Sequence, residues 1–515
     1  MLDDSETASV ATSGAISEDQ LPVDPAILSD DTLLHKLANE NVERLLALSS
    51  RPIAPSMELM WASVNPGSEV ALFVLDAIQQ SYAQRGIQLR FKHAFSCEVN
   101  HDWISGVFHE IGAVKGCVFE RAEHLAEGHA TCLTHGRQCI VPHADIIIAG
   151  ASCRDFSRAS SSSHTGGSLT MFHGLVRYLT NHNVSLLFLE NADSLDDAGN
   201  NLQGHVENLD VALRAVRKAG LVPTVFLLDS QSFGLPTARR RYYVCACKEV
   251  APPYYSFAST SFKEMHASLS TGLAACQRKP PCATSLLLDD DNLAIEVTLN
   301  KRLSAGPQDS EYNVGAIIGQ FQSEGLRWGT VSVAAETAES AWYATLTHSQ
   351  KNVLTFSQAQ RPNEVLCRDI SQSCSNVRHS TFQDGLHIMF CPMPGQVVWL
   401  EAPGKQQRLF LGRETLLFQG YPLDNIQGLT DKTSEAIMQT MGSSAMPSVV
   451  LLAMVQSALF ALPWRDVYDH PSSFTSNSDV DFAMSTFESL FSGGSADDTV
   501  EQAKTKKRKT ISGRK

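Results

Sequence analysis

The stretch Asp145-Ile-Ile-Ile-Ala-Gly-Ala-Ser-Cys153-Arg-Asp-Phe-Ser-Arg158 constrains this chain more than any other. An acid opens a short apolar run rich in β-branched residues, Gly150 ends it, and a turn of small residues delivers a cysteine. Such a run predicts a buried parallel strand leading into a loop. Ligands of open α/β sheets bind beyond the carboxyl ends of the strands, which is where Cys153 falls. A second apolar run, Ser185-Leu-Leu-Phe-Leu189, ends in Glu190-Asn191-Ala192. Two strand ends then offer a thiol and a carboxyl to one cleft. A free cysteine is most often a small buried residue that only packs, but the polar loop and the Glu190 strand end argue for chemistry. A thiolate adds to an electron-poor ring carbon while a protonated carboxyl neutralises the ring nitrogen that gains charge.

At 515 residues the chain exceeds one ordinary domain, and two lobes with tails are expected. A hydrophobic fraction of 43% supports a real core, and a net charge of -14 excludes a protein coated in basic surface. Contact with nucleic acid must then come from a local basic cleft. The twelve cysteines show no secreted-type framework, and with no signal peptide or long apolar span the thiols are expected to be reduced.

From the N-terminus, Met1 to about Asp24 is polar and predicted disordered, and Pro25 to Arg51 carries apolar residues at helical spacing. Met57 to Val64 reads as a strand, Asn65-Pro-Gly-Ser-Glu69 as a turn, Val70 to Arg85 as an amphipathic helix, and Phe91 to Cys97 as a strand ending at Glu98. This is the nucleotide-binding βαβ pattern: a glycine turn lets the backbone approach the ligand, and an acid accepts hydrogen bonds from ribose hydroxyls. Between Glu120 and His143 lie His129, Cys132, His135, Cys139 and His143. The spacing is short enough for zinc, but without a CxxC pair the stretch reads as a surface loop with incidental histidines and cysteines, and no metal is expected. Ser160 to Gly167 has the composition of a mobile loop. Helices are predicted over Phe172–Asn181 and Val206–Ala219, and a strand over Thr224–Leu228. There follows Ser232-Phe-Gly-Leu-Pro-Thr-Ala-Arg-Arg-Arg-Tyr-Tyr-Val244, in which Arg239 and Arg241 share one face of an extended segment and could meet a phosphate or a base carbonyl. From Asp466 the chain is low in structure, apart from an apolar-acidic run suited to a protein partner, and it ends in Lys504-Thr-Lys-Lys-Arg-Lys-Thr-Ile-Ser-Gly-Arg-Lys515. That basic end reads as a nuclear import signal.

In this order the pieces resemble the C5-cytosine methyltransferase family, and the likeness continues through Leu411-Gly-Arg-Glu-Thr-Leu-Leu-Phe-Gln-Gly-Tyr-Pro422 and Ser443-Ser-Ala-Met-Pro447. It covers roughly residues 57–250 and 405–462. The resemblance implies a doubly wound, Rossmann-like α/β methyltransferase sheet with a second, smaller mixed target-recognition lobe and disordered termini. It implies a helical N-terminal extension (1–52), a catalytic core (53–250 and 405–462), a target-recognition domain (251–404, with strands such as Val314–Phe321, Thr330–Val333 and Gln396–Glu401) and a tail (463–515). It also implies S-adenosylmethionine as cofactor, held by Gly67, Ser68, Glu69, Glu98, Ser444 and Ala445. By the same resemblance Cys153 attacks carbon 6 of a flipped-out cytosine, Glu190 protonates N3, Asn191 helps hold the cysteine loop, and Arg239 and Arg241 engage target base and backbone. The sequence departs from the family at Ser152, where proline is usual, at Thr237, where glutamine is usual, and in a glycine-poor cofactor turn. The implied reading is a monomeric nuclear enzyme acting on double-stranded DNA, with no membrane contact. The shared core does not separate DNA from a tRNA substrate, although the long insertion and the basic tail favour DNA. The departures leave a non-catalytic member that binds nucleic acid or a partner as the third reading.

Overall fold

The computed structural model describes residues 32–48, 57–100, 116–150, 167–193, 208–248, 250–251, 255–256, 262–307, 314–362, 365–422, 426 and 433–462. The Cys153 loop, the stretch 160–166 and both termini lie outside the described residues.

The apolar runs form the expected strands. In chain order the first part contains helix α1 (Thr32–Leu48), β1 (Met57–Val64), α2 (Val70–Ala83), β2 (Leu89–Cys97), β3 (Cys117–Phe119), β4 (His129–Cys132), β5 (Arg137–Ile140), β6 (Ile146–Gly150), α3 (Gly167–Asn181), β7 (Leu186–Ala192), α4 (Asn208–Lys218), β8 (Leu221–Asp229), β9 (Thr237–Ala238) and β10 (Arg240–Lys248). Nine of these strands make one sheet in the order β5-β4-β3-β2-β1-β6-β7-β10-β8. The five from β3 to β7 run parallel. Strand β10 is antiparallel to both β7 and β8. The chain turns outward in opposite directions from β1 and β6, so the ends of these two strands flank the crevice where such sheets bind ligands. Asp145 fixes the start of β6 by accepting a hydrogen bond from the Met60 backbone N–H at 2.7 Å.

Apolar side chains on both sheet faces are buried, as a parallel sheet covered by helices requires. On one face lies α13 (Ser448–Ala461), nearly all of whose residues are buried. The stretch Glu435–Ala461 is long and apolar enough to span a bilayer by length and composition, yet 83% of its most apolar window is buried inside the molecule. The pattern is that of a core helix, apolar all round. Helix α1 packs beside it through Leu34, Leu37, Val42 and Leu45, and the Asn41 amide donates to Gln456 Oε1 at 2.9 Å.

The insertion differs from its expected strands. It is mainly helical, with α5 (Phe262–Cys276), α6 (Leu293–Ala305), α7 (Val314–Ser323), α8 (Ala335–Glu339), α9 (Ala341–Ala344) and α10 (His348–Gln360). Residues 314–321, read from sequence as a strand, lie in α7, because Ile317 and Phe321, four apart, are the positions that enter the core. Thr330–Val333 is turn and irregular chain, whereas Gln396–Glu401 contains the expected strand, Val398–Leu400. Helix α5 packs on α13, with Gly272 against Ser457 and Leu45, so this part of the insertion joins the main body. The stretch read as a surface loop between Glu120 and His143 is instead the β4–β5 hairpin, closed by a turn with Gly136 at φ +61°.

Candidate active site

The turn after β1 carries the first group of predicted residues. Gly67 has φ +70°, and a Cβ built on it would lie 2.7 Å from the Ser444 carbonyl oxygen. Only glycine permits that approach. It brings the turn against the end of α12 (Glu435–Ser444), so Gly67 lies against Ser444 and Ala445, two other residues that the resemblance assigns to the cofactor. The Tyr421 hydroxyl donates to the Ser68 carbonyl at 2.8 Å, joining the Gln-Gly-Tyr-Pro segment to the same turn. Glu98 is buried at the end of β2 and accepts from the Asn100 backbone N–H at 3.0 Å. Its own N–H donates to the Phe119 carbonyl.

Glu69 is fully buried, at the left-handed N-cap of α2. One carboxyl oxygen accepts from the Ser63 and Ser96 hydroxyls at 3.0 and 3.2 Å. Its other oxygen and the Ser68 hydroxyl have no partner among the described residues. Burial raises Glu69 from an ordinary 4.5 to about 7 and Glu98 likewise to about 7. A carboxyl raised by folding stabilises the fold while protonated, and that stability is lost as pH climbs through the folded value. The ligand-free protein is therefore expected to lose about 1–2 kcal/mol between about pH 6.5 and 8.5 from these two groups. Burial lowers His93 to about 4, so its own contribution changes below this window. Urea unfolding at the two pH values checks this expectation, and Glu69→Gln should remove roughly half of the slope. An unchanged slope in that variant would refute the assignment.

The second group lies at the ends of β7 and β10. Gly150 at the end of β6 is in register with Glu190 of β7, so the chain that leads to Cys153 leaves the sheet beside that carboxyl. Across β7, Glu190 pairs with Tyr243 of β10. Arg239 and Arg241 point to the same side, as alternation required. Arg241 Nε is 3.3 Å and Arg239 Nη2 3.9 Å from Glu190 Oε1, while Arg240 turns outward. Arg239 is buried and uses its guanidinium on main chain, donating to the Ser443 carbonyl at 2.9 Å and the Ala445 carbonyl at 2.8 Å. It thereby couples the Glu190 strand end to the Gly67 turn. Of the two arginines implied to meet base and backbone, Arg241 is the more open, 17% exposed against 3% for Arg239. Thr237, standing where the family has glutamine, is buried and donates to the Phe418 carbonyl at 2.9 Å, a packing role. The Asn191 side chain accepts from the Ala192 N–H at 2.7 Å. Cys153 itself lies outside the described residues.

One neighbour was invisible in the sequence. Cys391 comes from the far end of the insertion, and its sulfur lies 3.3 Å from Arg241 Nη2 and 3.6 Å from Arg239 Nη1. Burial pushes its thiol up, but Arg239 and Arg241 outweigh that and hold it below the ordinary value. No motif or spacing signals a residue 150 positions from its partner.

The pattern of the C-5 cytosine-specific DNA methylases matches residues 133–454, more than half of the chain. The chain belongs to the C-5 cytosine-specific DNA methylase family. Among curated members, it is 22% identical over 472 residues to the DNA (cytosine-5-)-methyltransferase DMT5 of Cryptococcus neoformans var. grubii, across 85% of this chain and 18% of that one. It is 35% identical over 112 residues to the type II methyltransferase M.MspI of a Moraxella species, across 21% of this chain and 25% of that one. The matches thus span a quarter or less of either curated relative. Solved structures that resemble this C-5 cytosine-specific methylase include a mutant Spodoptera frugiperda DNMT2, at 12% identity and TM-score 0.40, covering 78% of this chain and 99% of that one. Another is the Entamoeba histolytica methyltransferase EhMeth, at 11% identity and TM-score 0.41, covering 78% and 98%.

Proposed function

We propose that this family member transfers a methyl group from S-adenosylmethionine to carbon 5 of a flipped-out cytosine in double-stranded DNA. The observation that carries the reading is the convergence on Glu190. A buried carboxyl held by Arg241 and Arg239 stands in register with the strand end that leads to Cys153, beside the Gly67–Ser444 junction.

Each residue has a part. Cys153, as thiolate, adds to carbon 6 of the ring. Glu190 hydrogen-bonds and protonates N3, so that charge is neutralised as it develops. Arg241 orients that carboxyl and engages the base or its backbone, and Arg239 positions the strand end against Ser443 and Ala445. Asn191 supports the turn at the end of β7. A base then removes the proton on carbon 5 and Cys153 departs. The ring carbon is unreachable within a duplex, so the nucleotide must swing out.

The turn fits the cofactor. Glu98 offers a buried carboxyl for ribose hydroxyls, and the unpaired Ser68 hydroxyl and Glu69 oxygen suit a ligand that brings hydroxyl and ammonium groups. Gly67, Ser68, Glu69, Glu98, Ser444 and Ala445 would hold it. When bound, S-adenosylmethionine supplies an electrophilic sulfonium methyl. We assign 53–250 and 405–462 to the catalytic core and 251–404 to target recognition, with α5 serving the core on which it packs. The basic end of the chain is proposed as a nuclear import signal, and the protein as a monomer.

Covalent trapping tests the reading. The purified chain is incubated with S-adenosylmethionine and duplex DNA carrying 5-fluorocytosine, whose fluorine blocks the final elimination, beside a Cys153→Ala control. An adduct that needs the cofactor and vanishes in the control is expected. No adduct and no cofactor binding by calorimetry would overturn the proposal. Cofactor binding with an adduct on tRNA alone would move the substrate to RNA.

A further inference from the structure

At the opposite edge of the sheet from β8, four potential ligands converge that the methyl-transfer chemistry does not use. Cys117 lies on β3, Cys132 on β4, Cys139 on β5, and His135 in the hairpin turn. Their ligand atoms all lie within 4.8 Å of one another. The His135 Nδ1 atom is 3.2 Å from the Cys132 sulfur, 3.5 Å from that of Cys117 and 3.6 Å from that of Cys139.

The sheet register explains the convergence. Phe119 pairs with Cys132, which places Cys117, two residues earlier on β3, on the same face. Cys132 pairs with Arg137, and Cys139 lies two residues further along β5, again on that face. Three thiols from three adjacent strands thus share one side of the sheet. Cys132-Leu-Thr-His135-Gly136 then folds back so that the imidazole closes the group from above. The turn is pinned to β3: the Leu133 N–H donates to the Val118 carbonyl at 2.8 Å, the Val118 N–H to the Thr134 hydroxyl at 3.2 Å, and that hydroxyl to the Gly116 carbonyl at 3.3 Å. All three cysteines are free thiols.

We propose that Cys117, Cys132, His135 and Cys139 form a structural zinc site. A tetrahedral zinc with bonds of about 2.3 Å to sulfur and 2.0–2.1 Å to nitrogen sets sulfur and nitrogen ligands about 3.6 Å apart; the Cys117 and Cys139 sulfurs lie at that distance from His135 Nδ1 and the Cys132 sulfur slightly nearer, at 3.2 Å. Three thiolates and one imidazole are a soft donor set that selects zinc over magnesium or calcium. With four protein ligands no position is left for water, so the ion is structural. The need for it is local. Strands β3, β4 and β5 are three to four residues long, and β5 is an edge with Ile140 69% exposed. Hairpins of this size are marginal without a partner or a staple. The stapled edge also carries the Phe119 carbonyl that receives the Glu98 N–H, so the ion braces the floor under the predicted ribose acid. Sequence spacing hid the site because Cys117 precedes Cys132 by fifteen residues, while His129 and His143, the other two candidates of that stretch, stand outside the cluster.

Metal content of the full chain, purified from zinc-supplemented medium without chelator, tests the proposal by elemental mass spectrometry. About one zinc per chain is expected, falling at least fivefold in Cys139→Ser and in His135→Ala. Less than about a tenth of an equivalent in the unmodified chain, or unchanged content in both variants, would overturn it. Should the variants not fold, cobalt(II) exchanged into the unmodified protein decides. Intense tetrahedral ligand-field bands with thiolate-to-cobalt charge transfer support a three-sulfur site, whereas weak octahedral bands refute it.

Discussion

Replacing Glu190 by glutamine is expected to slow methyl transfer by about 10²–10⁴-fold. The substitution keeps the size of the side chain and gives up the charge that Glu190 sets against Arg241, whose Nε lies 3.3 Å from the carboxyl. On the proposed mechanism it removes the proton that Glu190 would give to N3, so addition at carbon 6 would proceed with ring charge uncompensated in a buried site. Charge developing without a prearranged partner is costly where water cannot substitute. Binding of S-adenosylmethionine should survive, because Glu190 makes no hydrogen bond to the Gly67–Glu69 turn. Single-turnover transfer to duplex DNA, with cofactor affinity measured in parallel, separates the two effects. A rate within threefold of the unmodified protein would remove Glu190 from the chemistry. A parallel loss of cofactor binding would show instead that the substitution disturbed the Arg239 link to Ser443 and Ala445.

The second large effect concerns stability. Glu414 and Arg408 are both fully buried and form a two-pronged pair at 2.7 and 2.8 Å. The same carboxylate, in helix α11 (Gly412–Leu417), accepts from the Leu411 N–H at 2.8 Å and from the Leu288 N–H at 3.0 Å. The glutamate of the late Arg-Glu motif is thus a structural junction between the insertion and the returning core. Glu414→Ala would strand a guanidinium and two main-chain N–H groups in the interior. Breaking one side of such a pair costs about 3–5 kcal/mol, a large part of the roughly 5–15 kcal/mol that holds a domain folded. The urea midpoint should fall accordingly. Replacing both partners, as Arg408→Met with Glu414→Leu, should recover much of the loss, because no charge is then left unpaired. A change below 1 kcal/mol in Glu414→Ala would mean that the pair is dispensable.

The sheet was legible because its signals are local. Met57–Val64 matched to the residue, and the runs ending at Cys97, Gly150 and Ala192 fell where apolar content, β-branching and a terminal glycine or acid placed them. Alternation alone aligned Arg239 with Arg241, since strand geometry has a period of two. The order of motifs along the chain was enough to indicate the family. Where one apolar run suits two periods, local reading failed. Val314 to Phe321 is rich in residues that strands favour, but its contacts follow a spacing of four.

What the sequence by itself determined is therefore the strands β1, β2, β6, β7 and β8 with the helices between them, the family, and which side chains stand at those strand ends. Only the tertiary structure decided the partners those side chains take. Arg239 turned inward to the Ser443 and Ala445 carbonyls, 204 and 206 residues away. Cys391 came to lie beside Arg241, and Cys117 joined a hairpin whose other ligands follow it in the chain. Local propensity acts over a few residues, whereas such contacts are fixed by sheet register and by which helix closes the core. Those are set only when the whole chain has packed.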